Sequence, residues 1–147
     1  ARAHRVPMVW YQSARHKMNQ GNFASSESEL HKALDLDPLD QRVHARMGMA
    51  LYYLRNYKGA EIHYKTALSM NPEDYNTWYN LGELKYTLAN RTWQSDSLKL
   101  YSREALRNFL QALSLERNHP KAHYRVGLLL NSNQQFKEAI DHFKKSL

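Results

Sequence analysis

A chain of 147 residues with 42% hydrophobic and 24% charged side chains suits one domain or a few short repeats, and its composition excludes a disordered chain. The absence of cysteine excludes disulfides and thiolate metal sites, and no apolar run could cross a bilayer, so we expect a soluble, cytoplasmic segment. An excess of 21 Lys and Arg over 14 Asp and Glu gives a net charge of +7, which favours anionic partners such as acidic peptides, nucleic acid or an acidic membrane surface.

Two segments in the first half of the chain have similar sequences. "HKALDLDP" (31–38) and "YKTALSMNP" (64–72) place Ala33 and Ala67 34 residues apart, and the two prolines Pro38 and Pro72 show the same step. A fixed period of this length indicates a repeat protein. The register divides the chain into four units, namely 7–40, 41–74, 75–119 and an incomplete 120–147.

Small and large side chains recur at fixed places in all four units. The positions of the third unit are counted without the roughly 11 residues inserted between its helices. The eighth, twentieth and twenty-seventh positions then hold only small residues: Ala14, Gly48, Gly82, Gly127; Ser26, Ala60, Ala105, Ala139; Ala33, Ala67, Ala112, Ser146. The twenty-fourth position holds a large apolar residue in each unit: Leu30, Tyr64, Phe109, Phe143. Two antiparallel helices approach closely only where side chains are short, so each unit is predicted to be a helical hairpin.

Local signals mark where each hairpin turns and ends. The segments 19–23, 54–57 and 132–136 interrupt the helical apolar spacing and predict the turns. "DLDP" and "MNPED" end the second helices of the first two units, because proline disfavours helical geometry in the residue before it.

The repeated pattern resembles the tetratricopeptide repeat (TPR) family, whose unit has 34 residues. "WYNLGELKY" in the third unit and "MGMALYYLRNYKGAEIHYKTALSMNP" in the second carry the resemblance, which covers residues 7–147. It implies an all-α fold, a right-handed superhelical solenoid of antiparallel helix-turn-helix hairpins, and a single TPR domain over 1–147.

The third unit contains about 11 extra residues, roughly 91–101, between its two helices. Eleven residues make about three helical turns, so the second helix could lengthen in phase. We expect a turn at 90–95, a helix over about 96–115, and a cap from Ser95 or Asp96. The insertion is either a tolerated surface extension or an edge for docking through Trp93, Leu98 and Leu100.

Histidine replaces the tryptophan of the fourth position in two units. His44 and His123 are predicted to be packed rings between helices and not metal ligands. His119 and His123 are four residues apart, but His119 precedes Pro120 and lies outside the helix, so no single face holds both. We expect no metal site and no cofactor.

Both ends of the chain look unfinished for a stack of repeats, which needs polar capping helices. Residue 147 lies within the second helix of the fourth unit, and residues 1–6 resemble the tail of an earlier helix. We expect a piece of a longer array, or an end that something else covers. Self-association through these ends is one such arrangement.

The TPR resemblance also implies a concave groove lined by the first helix of each unit. The groove residues implied by the resemblance are mainly basic residues and tyrosines, with a few apolar, amide and acidic side chains. They are Tyr11, Arg15, Arg42, Arg46, Met49, Tyr52, Tyr53, Asn76, Tyr79, Asn80, Glu83, Tyr86, Lys121, Tyr124, Arg125 and Leu128. Arginine and tyrosine carry much of the energy at protein interfaces. We therefore expect a protein–protein interaction scaffold that binds an extended segment with acidic and apolar side chains.

Two specificities within the TPR family lose support from individual residues. Tyr11, Arg15 and Arg46 stand where chaperone-binding TPR proteins have Lys, Asn and Asn, so the two-carboxylate clamp is not reproduced. The continuous asparagine ladder of sugar-transferring TPR enzymes is also missing, because the sixth positions of the four units hold Gln12, Arg46, Asn80 and Arg125.

Two functional alternatives to a plain scaffold follow from the same sequence, single-stranded nucleic-acid binding and a substrate-selecting arm of a larger enzyme. Basic and aromatic side chains together could bind single-stranded nucleic acid, although Lys and Arg form no long runs. No phosphate loop, nucleophile elbow or metal-binding helix motif is present, so we expect no enzyme activity in this chain. A catalytic domain elsewhere in the parent protein could use these repeats as a substrate-selecting arm.

Overall fold

The computed structural model describes residues 2–132 and 135–147, with the side chains of 2–5 and 136 left aside. Within these ranges the chain forms eight α-helices and no strand, which confirms the all-α repeat solenoid. The helices are α1 Arg2–Asn19, α2 Phe23–Leu36, α3 Gln41–Tyr53, α4 Tyr57–Met70, α5 Tyr75–Arg91, α6 Ser95–Leu115, α7 Pro120–Ser132 and α8 Phe136–Ser146.

The helices pair as consecutive hairpins, α1 with α2, α3 with α4, α5 with α6 and α7 with α8. The chain divides into two compact units of two hairpins each, called the first unit (Ala1–Pro72) and the second unit (Glu73–Leu147) from this point on. The four sequence repeats correspond to the four hairpins. Within each unit the second helix of one hairpin packs on the first helix of the next, α2 on α3 and α6 on α7. The predicted turn at 132–136 lies partly outside the described residues.

Short polar side chains fix where four of the helices begin. Each accepts a hydrogen bond from a backbone N–H of the first turn: Asn22 from Ser25 (3.3 Å), Asp40 from Arg42 (3.0 Å), Asn56 from Gly59 (3.0 Å) and Asp74 from Thr77 (3.3 Å). The first-turn N–H groups have no partner within the helix, so such caps stabilise a helix by about 1 kcal/mol.

A glycine facing an aromatic ring sets the approach of the two helices in three hairpins. A Cβ on Gly82 would lie 2.7 Å from the ring of Phe109, too close for the ring to stay in place. Gly48 faces Tyr64 and Gly127 faces Phe143 in the same way, both at 2.5 Å. The three glycines of the eighth position are thus explained by direct contact with the aromatic residues of the twenty-fourth position.

The eleven extra residues of the third hairpin lengthen both of its helices. α5 has 17 residues where α3 has 13, and α6 has 21 where α4 has 14. The expectation that the turn covers 90–95 is wrong, because the helix continues to Arg91 and only three residues follow before α6. The second helix does keep its phase, with Ala105, Phe109 and Leu113 buried.

The predicted cap of α6 is also wrong. Neither Ser95 nor Asp96 caps the helix, since Gln94 occupies the N-cap position and its side chain does not bond the first-turn backbone. The Gln94 backbone N–H donates to Thr92 Oγ1 (3.2 Å), and Ser97 Oγ donates to Gln94 Oε1 (3.2 Å). Side-chain bonds within the turn therefore fix the start of α6 one residue earlier than expected.

The first helix begins earlier than the repeat register predicts. α1 is continuous from Arg2 to Asn19 and contains Pro7, so residues 2–6 are the first turns of α1 and not the tail of an earlier helix. Among the helices of the described residues, none combines the length and the apolar character needed to cross a membrane.

Candidate functional site

The first unit presents a tyrosine between two guanidinium groups on α1 and α3. The Arg42 guanidinium carbon lies 5.3 Å from the centre of the Tyr11 ring, and that of Arg15 lies 5.9 Å away. Tyr11 itself is only 7% exposed. Cations over an aromatic face are attracted by its quadrupole, so the three side chains form one basic aromatic cluster.

The three predicted groove arginines of the first unit, Arg15, Arg42 and Arg46, differ in how their charge is compensated. Arg42 donates from Nε and Nη2 to the two carboxylate oxygens of Asp40, at 3.2 and 3.0 Å. Burial alone would raise the pKa of Asp40, but the hydrogen bond and charge of Arg42 bring it below its ordinary value. Among the described residues no carboxylate pairs with Arg15 or Arg46; Arg15 donates to Gln12 Oε1 (3.5 Å) and the half-buried Arg46 to Met49 Sδ (3.9 Å).

Aromatic rings accompany these charges at the end of α3. Tyr53 is 55% exposed and stacks on Phe23 with ring centres 4.5 Å apart. Tyr52 meets Tyr53 edge-on at 5.3 Å, and Met49 is half-buried on the same helix. Phe23 was not among the predicted site residues, because its position opens the second helix and only packing brings it to Tyr53.

The second unit holds a fully paired arginine on α7. Arg125 donates from Nε to Glu83 Oε1 (2.6 Å) and from Nη2 to Glu83 Oε2 (3.1 Å). Its guanidinium lies 4.4 Å from the ring centre of Tyr86. The hydrogen bond to Glu83 raises the pKa of Arg125. The Arg125 guanidinium is thus already bonded to the Glu83 carboxylate and lies over the Tyr86 ring, so it is not available to an acidic ligand.

Tyr79 belongs to the packing of the second unit as well as to its surface. Its half-buried ring lies 5.6 Å from the ring of Phe109 and 4.7 Å from that of His119. His119 Nδ1 accepts the backbone N–H of Ala122 at 3.2 Å and so caps α7. Burial lowers the pKa of His119, which keeps this nitrogen available as an acceptor.

The remaining predicted residues of the second unit are spread over α5 and α7. Tyr124 is 49% exposed, with its ring 5.9 Å from that of Phe143. Lys121 is exposed and has no carboxylate partner among the described residues. Asn76 is exposed, while Asn80 and Leu128 are half-buried.

The predicted docking edge of the third hairpin is strongly exposed. Trp93 is 90% exposed, Leu100 50% and Leu98 43%. Leu98 therefore lies outside the buried part of α6, which begins at Ala105.

Histidines pair across two of the hairpins. His44 Nδ1 lies 3.1 Å from His63 Nδ1, and His123 Nδ1 lies 2.8 Å from His142 Nδ1. In each pair the first-helix ring also reaches a backbone carbonyl at 2.8 Å through Nε2, that of Pro38 or of Arg117. The prediction of packed rings is confirmed. The described residues include no group of three or more side chains that could hold a metal.

Comparison with known proteins agrees with this architecture. Family models described as tetratricopeptide repeat match residues 41–74 and 102–147, together more than half of the chain. Comparison with curated protein sequences found no match.

Three solved structures illustrate the likeness of the fold. The TPR protein TTC0263 of Thermus thermophilus has a TM-score of 0.84 at 17% identity, covering 96% of this chain and 73% of that one. MamA of Desulfovibrio magneticus RS-1 has 0.77 at 22%, covering 95% and 73%. The first TPR of Spaghetti (RPAP3), solved with the HSP90 peptide SRMEEVD, has 0.75 at 17%, covering 88% and 94%.

These identities are low, so the solved structures show the fold alone, whereas the family models match the repeat sequence itself. The repeat register, the eight helices in four hairpins and the glycine-to-aromatic contacts agree with that match. The chain belongs to the tetratricopeptide repeat family.

Proposed function

We propose that this chain is a non-catalytic protein–protein interaction scaffold that binds an extended segment with acidic and apolar side chains. The contact surface is the first-helix face of the hairpins, meaning the predicted groove residues of α1, α3, α5 and α7. We propose further that the acidic side chains of the partner bind in the first unit.

One observation carries this proposal. Arg15 and Arg46 have no carboxylate partner among the described residues, whereas Arg42 and Arg125 are already paired. Arginine binds carboxylates through paired, charge-assisted hydrogen bonds, and neighbouring aromatic rings such as Tyr53 supply contact area at low entropic cost. A partner carboxylate therefore gains most beside Arg15 and Arg46.

A similar solved structure supports the chemistry of the partner. The first TPR of Spaghetti (RPAP3) was solved with the peptide SRMEEVD, which combines acidic side chains with methionine and valine. The residues at the clamp positions differ here, since Tyr11, Arg15 and Arg46 replace the clamp residues. The likeness favours a peptide of the same general chemistry and not the same terminal carboxylate contact.

A displayed library of random peptides, selected on the immobilised protein, tests the proposal. We expect the enriched peptides to combine Asp or Glu with apolar residues. The double variant Arg15→Ala with Arg46→Ala should bind a selected peptide about tenfold or more weakly, which corresponds to about 1.4 kcal/mol. Arg117→Ala, an exposed arginine between α6 and α7 that belongs to neither proposed surface, is the matched control and should bind normally.

Two results would contradict the proposal. One is unchanged peptide affinity in the double variant when its helical circular dichroism is intact. The other is tight, steeply salt-dependent binding of single-stranded RNA without peptide binding, which would favour the nucleic-acid alternative.

A further inference from the structure

One side of α6 forms a shallow depression that no part of the hairpin fills. Its volume is 430 Å³, and it is lined by Arg103, Leu106, Arg107, Leu110 and Gln111. These residues follow the spacing of a single helix face, i, i+3, i+4, i+7 and i+8. The depression therefore runs along the helix axis for about two turns.

Most of this face is directed away from the core of the third hairpin, although Leu106 at its edge also packs against the buried apolar cluster of α6 and α7. Ala105 and Phe109 are fully buried, and a helix turns by about 100° per residue, so Arg103 and Arg107 lie on the opposite side. Leu110 is 44% exposed, and Leu100, about two turns before Arg107 on the same side, is 50% exposed. Single exposed leucines are common, but leucines grouped along one side of a helix mark a contact surface.

The charge of the face is uniformly positive. Arg103 and Arg107 are exposed, lie one helical turn apart, and pair with no carboxylate among the described residues. A second copy of the chain would bring a net charge of +7 and the same two arginines to this face. Charge complementarity thus favours an acidic occupant over self-association.

We propose that this outer face of α6 docks an acidic amphipathic helix of a partner protein, independently of the first-helix face. Apolar side chains of that helix lie on Leu106 and Leu110, and its carboxylates pair with Arg103 and Arg107. This is the helix-on-groove mode of recognition, in which anchors at i, i+3, i+4 and i+7 enter an apolar depression.

Fluorescence anisotropy with designed helical peptides tests the proposal on the full chain. The probe is a labelled peptide of about 18 residues, long enough for five helical turns, with leucines on one face and glutamates beside them. A second peptide has the same composition in an order that removes the leucine face, and a third has lysine in place of glutamate. We expect saturable binding of the first peptide only.

Reversing the two charges on the protein tests whether Arg103 and Arg107 bind the carboxylates of the peptide. Arg103→Glu with Arg107→Glu should weaken binding of the acidic peptide at least about tenfold, or about 1.4 kcal/mol, and should create binding of the lysine peptide. Arg15→Ala with Arg46→Ala, on the first-helix face, should leave the affinity for the acidic helix unchanged.

The proposal is overturned if the acidic helix does not bind saturably, or if it binds the charge-reversed protein equally well. Equal binding of the peptide without a leucine face would also overturn it, because the contact would then be one of charge alone. Circular dichroism of the reversed variant establishes that its helices are intact, as expected for two exposed substitutions.

Discussion

Arg55 has a backbone conformation that glycine normally adopts. Its φ angle is +64°, and Gly21, the residue 34 positions earlier, has φ of +78° in the equivalent turn of the first hairpin. A side chain other than glycine in this region costs about 1 kcal/mol or more. The turn requires this conformation because the next residue, Asn56, must cap α4.

Replacing this residue should therefore stabilise the protein. Arg55→Gly relieves the backbone strain, but glycine also makes the unfolded chain more flexible, which offsets part of this gain. We expect the free energy of unfolding to increase by about 0.5–1 kcal/mol. Urea unfolding monitored by circular dichroism measures it. The reverse change in the equivalent turn, Gly21→Ala, should lower the stability by a similar amount. Equal or lower stability of Arg55→Gly would show that the arginine makes a compensating contact.

Three histidines are held in their neutral form by the fold. Burial is the largest cause that lowers the pKa of His63, His119 and His142, and neighbouring positive or titratable groups add to it. His63 faces His44 and, from α2, His31. His142 faces His123 and Lys145, while Glu138 and Asp141 act in the opposite direction.

The histidine pKa values predict the direction of the pH dependence. A lowered pKa in the folded state means that the unfolded chain binds protons more readily, so stability falls as the pH drops below about 6.5. The free energy of unfolding at pH 7 and pH 5.5 measures this loss. His119→Asn keeps a capping acceptor but removes one titrating group, so its pH dependence should be shallower. A flat profile across this range would contradict the prediction.

Acidification beyond the histidine range should cause a second loss. The pKa of Glu29 is lowered from 4.5 even though burial opposes the shift, because Lys17 and Ser13 donate hydrogen bonds to it. Asp40 is lowered from 3.8 by Arg42 in the same manner. Protonating these carboxylates removes those interactions, so this loss begins near the unfolded values and continues below them.

At the scale of the hairpin, the glycine and the aromatic ring act as one unit. The first hairpin has a different pair at the equivalent positions, Ala14 and Leu30, and both are fully buried. An added methyl group at Gly82 would overlap the Phe109 ring, and we expect the smaller side chain of leucine to leave room for it. The small and large residues of each hairpin therefore depend on each other.

A double-mutant cycle measures this dependence. Gly82→Ala should destabilise the protein by about 1–3 kcal/mol through overpacking. Phe109→Leu should destabilise it by leaving a cavity, and the two changes together should cost less than their sum, with a coupling of about 1 kcal/mol or more. Thermal or urea unfolding of the four proteins supplies the values. Additive losses would mean that the ring moves aside without cost.

The hairpins alternate in the polar contacts between their helices. The first and third have tryptophan at the fourth position and lysine at the eleventh, namely Trp10 and Lys17, Trp78 and Lys85. Those lysines pair with glutamates of the second helix, Lys17 with Glu29 and Lys85 with Glu104. The second and fourth hairpins instead have histidine pairs and a leucine at the eleventh position. The sequence thus repeats every two hairpins.

At the scale of the whole molecule, this alternation agrees with the two compact units. Each unit contains one hairpin of either kind and has its own buried residues. In the second unit, Phe109, Val126 and Leu129 belong to one apolar cluster shared by α6 and α7. Repeat proteins are stabilised by the interfaces between neighbouring repeats, and each unit contains one such interface, between α2 and α3 or between α6 and α7.

We therefore expect residues 73–147 to fold when expressed alone. The fragment should keep helical circular dichroism and a cooperative thermal transition, at a lower temperature than the full chain. An unfolded 73–147 would mean that its core depends on the rest of the chain.

Much of the fold was predictable because its signals are local and periodic. The hairpins, the small residues of the eighth position and the helix ends near Pro38 and Pro72 follow from spacing alone. The first-helix face followed from the TPR resemblance, and its assignment as a binding surface stays a prediction. The sequence could not show which of the groove arginines are paired with a carboxylate. Among the described residues Arg42 and Arg125 are paired and Arg15 and Arg46 are not, and this difference depends on the positions of the carboxylates in the fold.

The sequence by itself determined the repeat period, the all-α hairpin architecture and the basic, tyrosine-rich composition of the first helices, because each depends on residues close in the chain. Only the tertiary structure decided which arginines are paired, which histidines meet, and how the insertion is divided between α5 and α6. Those outcomes depend on distances between helices, which arise from packing of side chains that are 12 to 42 residues apart in sequence.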